Sequence, residues 1–377
     1  MTDASFILGP MPRHLAHVIG ARPNFIKAAP VIRALRERGV PQRIVHTGQH
    51  YDELMSDVFF RDLEIATPDV NLAVGSGTHG EQTAAAMVGL EREWTGDPPA
   101  LAVLYGDVNS TLAASLVAAK LGVPSAHVEA GLRSFDRSMP EEINRVVSDL
   151  LADLHFTTSP EAEGLLRVSG IPADRIRFVG NPMIDTLLAQ RAQFDPEGER
   201  DRLGLPEAYG VVTLHRPSNV DSEASARAVV GALDGLSALL ALVIPLHPRG
   251  RSTLEAAGLR DSDRLRIVAP MGYVAFLSLV DGARLVLTDS GGIQEETTIL
   301  DVPCLTMRPN TERPITISHG TNRLVAPDEV VPAAREILAG PVRPGGPRPP
   351  LWDGHAGDRI ADEIVDWLAL RAAGSAA

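Results

Sequence analysis

The sequence predicts an α/β protein built from two doubly wound, Rossmann-like domains with parallel sheets that face a central cleft. Three observations lead to this fold class. The chain has 377 residues, which is more than one hydrophobic core usually spans. Short apolar runs alternate with helical segments, as in parallel sheets covered by helices. The alternation breaks near the stretch QRAQFDPEGERDRLG and then restarts.

The elements follow in two series. The first series of candidate strands reads HLAHVIG, QRIVHTG, ALAVLYG, PSAHVEA, LHFTTS and RIRFVG. The second reads GVVTLHR, LVIPLHP, LRIVAP, RLVLTD, PCLTMR and NRLVA, and helical stretches such as FIKAAPVIRALRERG and STLAASLVAAKLG lie between strands. The stretch GPVRPGGPRPP is typical of a linker before a last amphipathic helix. We therefore expect an N-terminal domain over 1–184, a C-terminal domain over 185–352, and a helix in 353–377 that packs back on the N-terminal domain.

Composition limits the partners. A net charge of −13 argues against nucleic acid, whose phosphate backbone favours a basic face, but leaves room for a small phosphorylated ligand. The single cysteine, Cys304, excludes an internal disulfide framework and suits a reducing compartment. We see no signal peptide at the start, and the longest apolar run, ALLALVIPL, is too short to cross a bilayer. We expect a cytoplasmic protein without a membrane partner.

Polar side chains stand where the candidate strands end. Ligands of open α/β sheets bind outside the carboxyl ends of the strands, so these positions predict a site. Taken singly, each such residue is typical of a cap on the next helix, but their number in both series favours a site facing the cleft. The set comprises Arg22, Gln49, His50, Asp107, Glu129, His215, His247, Asp289 and Ser290.

The stretch LTDSGGIQEE predicts an anion site. Ser290 is placed to cap a helix, and Gly291 and Gly292 leave their N–H groups open to an anion. The alternative is an ordinary capped helix, although a capping box would need Glu or Gln at position 293, which is Ile. A carboxylate one turn further on, at Glu295 or Glu296, can accept hydrogen bonds from ribose. The pattern indicates a nucleoside diphosphate.

Cations from the first series can reach the same ligand. Arg22 follows the first candidate strand, and Lys27 lies on the first turn of the next helix. His215 in TLHRPSN is a third candidate donor to phosphate. The alternative for Lys27 is a solvated surface lysine.

The junction HVEAGLRSFDRSMPEEINR carries four carboxylates and three arginines. Glu141 has two structural explanations, a capping box with Ser138 and a surface ion pair with Arg145 one helical turn away. Asp107 and Glu129 favour a third explanation, in which Glu141 takes part in acid-base chemistry. Together with Glu141 they would converge from neighbouring strand exits on one pocket and raise one another's pKa. That arrangement suits paired general acids and bases. Asp136 and Glu142 are expected to face solvent.

Together these motifs resemble the non-hydrolysing UDP-N-acetylglucosamine 2-epimerases, a family with the glycosyltransferase-B fold. The resemblance rests on GARPNFIKAAPV, TGQH, LYGD, HVEAGLR, MPEEINR, TLHRPSNVD, LTDSGGIQEE and TERPITISHGTNRLV, in family order. It implies inversion at C2 of UDP-N-acetylglucosamine, giving UDP-N-acetylmannosamine, through elimination of UDP to a glycal and re-addition. It also implies that no redox cofactor and no metal take part.

The resemblance assigns roles residue by residue. Asp107, Glu129 and Glu141 become the acid-base carboxylates. The substrate-binding set divides between diphosphate (Arg22, Lys27, His215, Ser290, Gly291 and Gly292), ribose (Glu296), uracil (near Met271 and Phe276) and further polar contacts (Arg145 and Arg313).

Three departures concern the first half of the chain. Ala21 and Asn24 stand where many members have Thr and Glu, and Tyr51 stands where bacterial members often carry Arg. In some members a second UDP-N-acetylglucosamine binds and activates, and here Gln49, Arg216 and His247 are the candidates for such a site.

Several alternatives stay open at this stage. They are a 2-epimerase of a modified UDP-sugar, a hydrolysing 2-epimerase, a glycosyltransferase and a non-catalytic nucleotide-sugar sensor. The sensor would be expected to lack at least one of the three carboxylates, and all three are present. We also expect the protein to form a homodimer.

Overall fold

Two parallel sheets organise the chain. The computed structural model describes residues 14–48, 65–246 and 250–375, and it divides into Met1–Thr186 with Pro350–Ala377 (unit 1) and Leu187–Pro349 (unit 2). Unit 1 holds a seven-stranded sheet in the order β3-β2-β1-β4-β5-β6-β7, and unit 2 a six-stranded sheet in the order β10-β9-β8-β11-β12-β13. Both orders are doubly wound, so the predicted fold class, two Rossmann-like domains of the glycosyltransferase-B type, is confirmed.

Unit 1 alternates strands and helices along the chain. Its strands are β1 (Leu15–Ile19), β2 (Gln42–His46), β3 (Val70–Asn71), β4 (Leu101–Tyr105), β5 (Ser125–Ala130), β6 (Leu154–Thr157) and β7 (Ile176–Phe178). Its helices are α1 (Arg22–Glu37), α2 (His79–Gly96), α3 (Asn109–Leu121), α4 (Pro140–Leu151), α5 (Pro160–Val168), α6 (Pro182–Gln190), which runs into unit 2, and α15 (Ala356–Ser375).

Unit 2 repeats the pattern. Its strands are β8 (Tyr209–Thr213), β9 (Ala241–Pro245), β10 (Leu265–Val268), β11 (Leu285–Thr288), β12 (Cys304–Thr306) and β13 (Asn322–Leu324). Its helices are α7 (Pro196–Arg202), α8 (Pro217–Val220), α9 (Glu223–Ser237), α10 (Arg251–Ala256), α11 (Tyr273–Gly282), α12 (Gly291–Leu300), α13 (Ile315–Ser318) and α14 (Val330–Ala339). Short 3-10 turns cover Ala173–Arg175, Arg191–Gln193 and Pro327–Glu329.

The central strands are apolar because helices cover both of their faces. Every residue of β1 and of β4 is buried, as expected for parallel strands between two helical layers. All twelve candidate strands of the sequence analysis form, while the two-residue strand β3 carries no sequence signal of its own. In the part of the chain that the structure describes, no helix combines the length and apolar character needed to span a bilayer.

The last helix belongs to unit 1. Helix α15 packs against α1, and its residue Gly357 lies so close that an added Cβ would stand 2.8 Å from the backbone of Pro30. The carboxylate of Asp185 on α6 accepts hydrogen bonds from the backbone N–H groups of Ala356 (3.1 Å) and Gly357 (2.7 Å). One buried carboxylate therefore holds the start of this helix in place.

Candidate functional site

The carboxyl ends of β4 and β5 place two of the predicted carboxylates side by side. These strands are parallel neighbours with Tyr105 opposite Val128. Asp107 follows β4 after one glycine, and Glu129 is the penultimate residue of β5. The edge of the sheet where ligands of this fold class bind therefore carries both groups.

Glu129 has an unusual backbone. Its φ is +72°, a left-handed conformation that costs a non-glycine residue about 1 kcal/mol or more, and the β5–β6 register shifts between Val128 and Ala130. Such a bulge redirects a side chain away from the alternation of the strand. The redirected carboxylate is buried and forms an ion pair with the Nζ of Lys27.

Lys27 is only 5% exposed, so the solvated-lysine alternative is wrong. The Lys27–Glu129 pair lies against Gly106, where an added Cβ would be 2.9 Å from Lys27 Nζ and 3.2 Å from Glu129 Oε2. Because Gly106 also has a φ of +61°, both its conformation and its surroundings require glycine.

Asp107 is held by the helix that follows β5. The guanidinium of Arg145 on α4 forms an ion pair with the Asp107 carboxylate, and Nδ2 of Asn144 donates to the Asp107 carbonyl at 2.8 Å. Arg145 also donates from Nη1 to Glu142 Oε2 at 3.2 Å. The arginine is buried between two carboxylates, so the alternative of a surface pair with Glu141 does not hold.

The structure corrects the roles of the two adjacent glutamates. Met139, and not Ser138, occupies the cap position of α4, so the capping-box alternative for Glu141 does not hold. The hydroxyl of Ser138 donates to Asp136 instead. Glu141 is half-buried and makes no hydrogen bond or ion pair with any residue that the structure describes. Its side chain is therefore not committed to holding the helix.

Glu142, expected to face solvent, is buried, and that prediction is wrong. Its carboxylate accepts from Ser134 N at 2.8 Å, Ser134 Oγ at 3.0 Å and Phe135 N at 3.1 Å. These bonds fix Phe135 at a φ of +59°. Glu142 thus shapes the loop between β5 and α4.

A buried histidine supports the same strand ends and was missed from sequence. His127 lies on β5, and its Nδ1 donates to Asp149 Oδ1 at 2.7 Å while its Nε2 donates to the Gly106 carbonyl at 2.8 Å. Asp149 also accepts from Arg133 at 2.6 Å and from Gly131 N at 3.1 Å. Both ring nitrogens face acceptors, an arrangement that favours the doubly protonated, positively charged ring.

The electrostatics agree with that geometry. Burial alone would lower the pKa of His127, but the Asp149 carboxylate and the Gly106 carbonyl raise it above its ordinary 6.5. Burial alone would raise the pKa of Asp149, but His127 and Arg133 hold it below its ordinary 3.8. No sequence signal joins His127 to Asp149, because they are brought together only when α4 packs on β5.

In unit 2, Asp289 organises the loop after β8. It follows β11, is fully buried, and accepts from the backbone N–H groups of His215 (3.1 Å) and Arg216 (2.9 Å) and from Asn219 Nδ2 (3.0 Å). His215 Nδ1 lies 3.1 Å from Asp289 Oδ1. Burial alone would raise the pKa of Asp289, but these donors hold it below its usual range. The sequence analysis placed Asp289 at a strand end without giving it a role. In the structure its carboxylate holds the loop after β8 in place.

The start of α12 has the position expected of an anion site. Ser290 occupies the cap position, but its side chain makes no capping hydrogen bond with the first turn, so the ordinary capped-helix alternative is not what forms. Gly291 and Gly292 are the first two residues of the helix. An added Cβ at Gly291 would stand 2.4 Å from Arg313 Nη1, so this glycine also makes room for an arginine.

Arg313 is part of a buried ion-pair cluster. Its Nε lies 3.0 Å from Glu295 Oε1, and its Nη1 pairs with Glu312. Arg308 Nη2 donates to the same Glu312 at 2.7 Å, and Arg216 Nη2 lies 3.7 Å from it. The cluster therefore holds three guanidinium groups and two carboxylates.

Glu296 sits one turn into α12 and is buried. The hydroxyl of Tyr273 donates to its Oε1 at 3.0 Å. Burial raises the pKa of Glu296 to about 8, with Glu295 contributing in the same direction and Tyr273 opposing it. Near neutrality this side chain is mostly a neutral acid, which can both donate and accept hydrogen bonds.

The remaining predicted residues lie in several places. Met271 and Phe276 are half-buried around the start of α11. Arg216 donates from Nε to the Asp289 carbonyl at 2.9 Å. Arg22 opens α1. Gln49, His50, Tyr51 and His247 lie outside the described residues. Within the described ranges, no three His, Cys, Asp or Glu side chains are grouped as metal ligands.

The chain has two doubly wound domains. In unit 1, carboxylates paired with cations lie at the strand ends, and in unit 2 helix α12 begins with two glycines. Together these features define a nucleotide-sugar enzyme of the glycosyltransferase-B class. Comparison with known proteins gives the family. Residues 33–365 match the model of the UDP-N-acetylglucosamine 2-epimerase family, and the chain belongs to that family. It is an epimerase and hence an isomerase.

Relatives of this chain include two with different sugars in their names. It is 40% identical over 358 residues to the UDP-N-acetylglucosamine 2-epimerase of Methanocaldococcus jannaschii, covering 92% of this chain and 97% of that one. It is also 40% identical over 360 residues to the UDP-2,3-diacetamido-2,3-dideoxy-D-glucuronate 2-epimerase of Pseudomonas aeruginosa, covering 93% and 98%.

Solved structures agree. The M. jannaschii enzyme in complex with UDP-GlcNAc and UDP matches with a TM-score of 0.87 at 38% identity, covering 93% of this chain and 99% of that one. The Neisseria meningitidis enzyme bound to UDP-GlcNAc matches with a TM-score of 0.86 at 26% identity, covering 94% and 100%.

Proposed function

We propose that the protein interconverts UDP-N-acetylglucosamine and UDP-N-acetylmannosamine by inversion at C2. The observation that carries the proposal is Glu129, a buried carboxylate redirected by a strand bulge onto Lys27 at the ligand-binding edge of unit 1. Proteins keep such strain mainly where function uses it. Asp107 and Glu141 complete the acid-base set.

The reaction balances without a redox cofactor. A carboxylate of unit 1 removes the C2 proton, the bond from C1 to the UDP oxygen breaks, and a C1–C2 double bond forms in the glycal. UDP then adds back to C1 while a proton returns to C2 on the opposite face. Two carboxylates with different surroundings suit the two proton transfers. Asp107 and Glu129 each face a cation, whereas Glu141 makes no ion pair with a described residue.

Unit 2 is proposed to hold UDP. The N–H groups of Gly291 and Gly292 and the side chains of Ser290 and His215 are the proposed diphosphate donors, joined by Arg22 and Lys27. Asp289 supports this assignment, because it fixes the backbone of His215 through three hydrogen-bond donors from one loop.

Further contacts complete the proposed UDP site. The neutral acid at Glu296 suits ribose hydroxyls, and Met271 with Phe276 suits uracil. Arg313, held by two carboxylates, and Arg145 are the further polar contacts. Arg145 is fixed by Asp107 and Glu142.

A second candidate substrate is a C3-modified or uronic-acid analogue of the same UDP-sugar. The equal identity to the Pseudomonas 2-epimerase favours it. Incubation with each UDP-sugar, followed by proton NMR at C1 and C2, decides between them. UDP-N-acetylmannosamine formed from UDP-N-acetylglucosamine supports the first candidate. Turnover of the analogue alone supports the second candidate. Release of free N-acetylmannosamine would indicate a hydrolysing enzyme. Transfer of the sugar to an acceptor, or no reaction with either UDP-sugar, would contradict the proposal.

We also propose that the protein is a cytoplasmic homodimer. Light scattering after size exclusion measures the mass, and twice the 40.2 kDa chain mass is expected.

Gln49, Arg216 and His247 are proposed to form a regulatory site for a second UDP-sugar. A sigmoidal dependence of rate on UDP-N-acetylglucosamine, lost in Arg216→Ala, would support the regulatory site, and hyperbolic kinetics in the unaltered protein would count against it.

A further inference from the structure

Three buried side chains hold the turn after strand β4, one for each of three successive carbonyl groups. The donors, each followed by the residue whose carbonyl accepts, are Asn24 Nδ2 (Tyr105), His127 Nε2 (Gly106) and Asn144 Nδ2 (Asp107). Each of the three distances is 2.8 Å, and each donor residue is at most 4% exposed. Three separate elements, α1, β5 and α4, therefore fix the turn that presents the Asp107 carboxylate.

The turn lies directly against the Lys27–Glu129 ion pair. Gly106, its central residue, has a φ of +61°, and a Cβ added there would stand 3.6 Å from Asn24 Nδ2 as well as against the ion pair. Asn24 is therefore a neighbour of the proposed acid-base groups. A displacement of about 1 Å can cost a catalytic group much of its effect, so residues that fix this turn can control the rate without touching the substrate.

Asn24 also holds the loop between β1 and α1. Its Oδ1 accepts from the backbone N–H groups of Gly20 at 3.2 Å and Ala21 at 3.0 Å. The side chain is 1% exposed, and an amide supplies both the acceptor and the donor that this position needs. The loop leads into Arg22, a proposed diphosphate donor and the first residue of α1. One side chain thus links this loop to the turn that carries Asp107.

Two purely structural explanations do not cover this link. A side chain that reaches back to the cap residue of its own helix is ordinary capping, and it would need only the Oδ1 acceptor. The Tyr105 carbonyl does not depend on Asn24 alone, because Thr111 Oγ1 on α3 also donates to it at 2.8 Å. Neither explanation requires one residue to join the loop and the turn.

We propose that Asn24 is a positioning residue of the reaction, which holds the β1–α1 loop and the Asp107 turn in one fixed arrangement. The inference rests on the proposed function, in which Asp107 belongs to the acid-base set and UDP is held mainly by unit 2. Loss of the link should therefore lower kcat and leave the affinity for UDP nearly unchanged.

Two variants of Asn24 test the link with the UDP-sugar that the unaltered protein epimerises. Asn24→Ala removes the link without adding charge, and Asn24→Asp keeps the Oδ1 acceptor but replaces the amide donor with a carboxylate oxygen. We expect kcat to fall about tenfold or more in both. Calorimetric titration of the same variants with UDP should give an unchanged stoichiometry, and Asn24→Ala should keep its affinity within about threefold.

Thr111→Val is the matched control. It removes a donor to the same Tyr105 carbonyl but leaves the link between loop and turn in place. Its kcat should stay within about threefold of that of the unaltered protein.

The outcomes separate this proposal from the proposed function. No turnover of any UDP-sugar by the unaltered protein would contradict the proposed function, and the role of Asn24 with it. Near-normal kcat in Asn24→Ala would overturn the positioning role alone. So would an equal loss in Thr111→Val, because Asn24 would then act only by satisfying a carbonyl. A loss confined to Asn24→Asp would assign the effect to added charge, and a UDP stoichiometry that fell with kcat would assign it to folding. Either result would also overturn the positioning role.

Discussion

At the scale of single residues, the site depends on which carboxylates are committed to structure and which are not. Glu141 and Glu142 are neighbours with opposite roles. Glu142 is buried under three donors from Ser134 and Phe135 and pairs with Arg145, whereas Glu141 has no such partner among the described residues. Substitutions at Glu141 and at Glu142 should therefore separate an effect on turnover from an effect on the stability of the fold.

Glu141→Gln should cut turnover by about 100-fold or more with no loss of stability, because it removes a proton-transfer group and no native hydrogen bond. Glu142→Gln should destabilise the fold by about 2 kcal/mol or more, because it leaves the buried Arg145 and the loop donors without their carboxylate. Turnover and urea denaturation of both variants are the measurements. Near-normal turnover in a stable Glu141→Gln protein would remove Glu141 from the catalytic set.

His127 is expected to control stability through pH. The fold raises its pKa above 6.5, so its protonated ring stabilises the fold fully below pH 6.5 and this contribution is lost as pH rises through the raised pKa. The facing groups are Asp149, the Gly106 carbonyl, Arg133 and Glu129. The difference in unfolding free energy between the unaltered protein and His127→Gln should be largest below pH 6.5 and should shrink as pH rises through the raised pKa of His127. A difference that stays constant would mean that the ring is neutral in the fold.

At the scale of elements, the start of α12 joins strand β11 to the proposed diphosphate site. Gly292→Val should weaken UDP binding by more than tenfold while the protein stays folded, because a branched side chain blocks close approach of the anion. Gly231→Val is the matched control, since Gly231 is a helical glycine of unit 2 whose added Cβ meets nothing within 4 Å. Calorimetric titration with UDP measures both. Unchanged affinity in folded Gly292→Val would contradict the anion site.

Elements were predictable from sequence where one local pattern sufficed. Apolar runs located the strands, and strand-end polar residues located Asp107, Glu129 and Ser290. The capping-box alternative at Ser138 does not form, because the Ser138 hydroxyl donates to Asp136 and the helix begins one residue later. The burial of Glu142, the bulge at Glu129 and the His127–Asp149 pair depend on contacts between α4 and β5, which no local pattern encodes.

At the scale of the whole molecule, the chain leaves unit 1 at α6, builds unit 2, and returns through α15. Gly357→Val should disrupt this return, because the added side chain would collide with the Pro30 backbone rather than with a flexible side chain. We expect a loss of about 2 kcal/mol or more of unfolding free energy. Gly164→Val, at a helical glycine of unit 1 with nothing within 4 Å, should lose much less in the same denaturation experiment. Equal losses in both variants would show that α15 does not depend on this contact.

The central claim is that the carboxylates of unit 1 remove and return the C2 proton of a UDP-sugar bound through unit 2. Turnover of UDP-N-acetylglucosamine in deuterium oxide tests it most directly, because the abstracted proton can exchange with solvent before a proton returns. The product should carry deuterium at C2, prolonged incubation should release some UDP and glycal, and Glu141→Gln should slow incorporation and turnover together. Product that kept its original C2 hydrogen would contradict the elimination route, and the roles of Asp107, Glu129 and Glu141 with it.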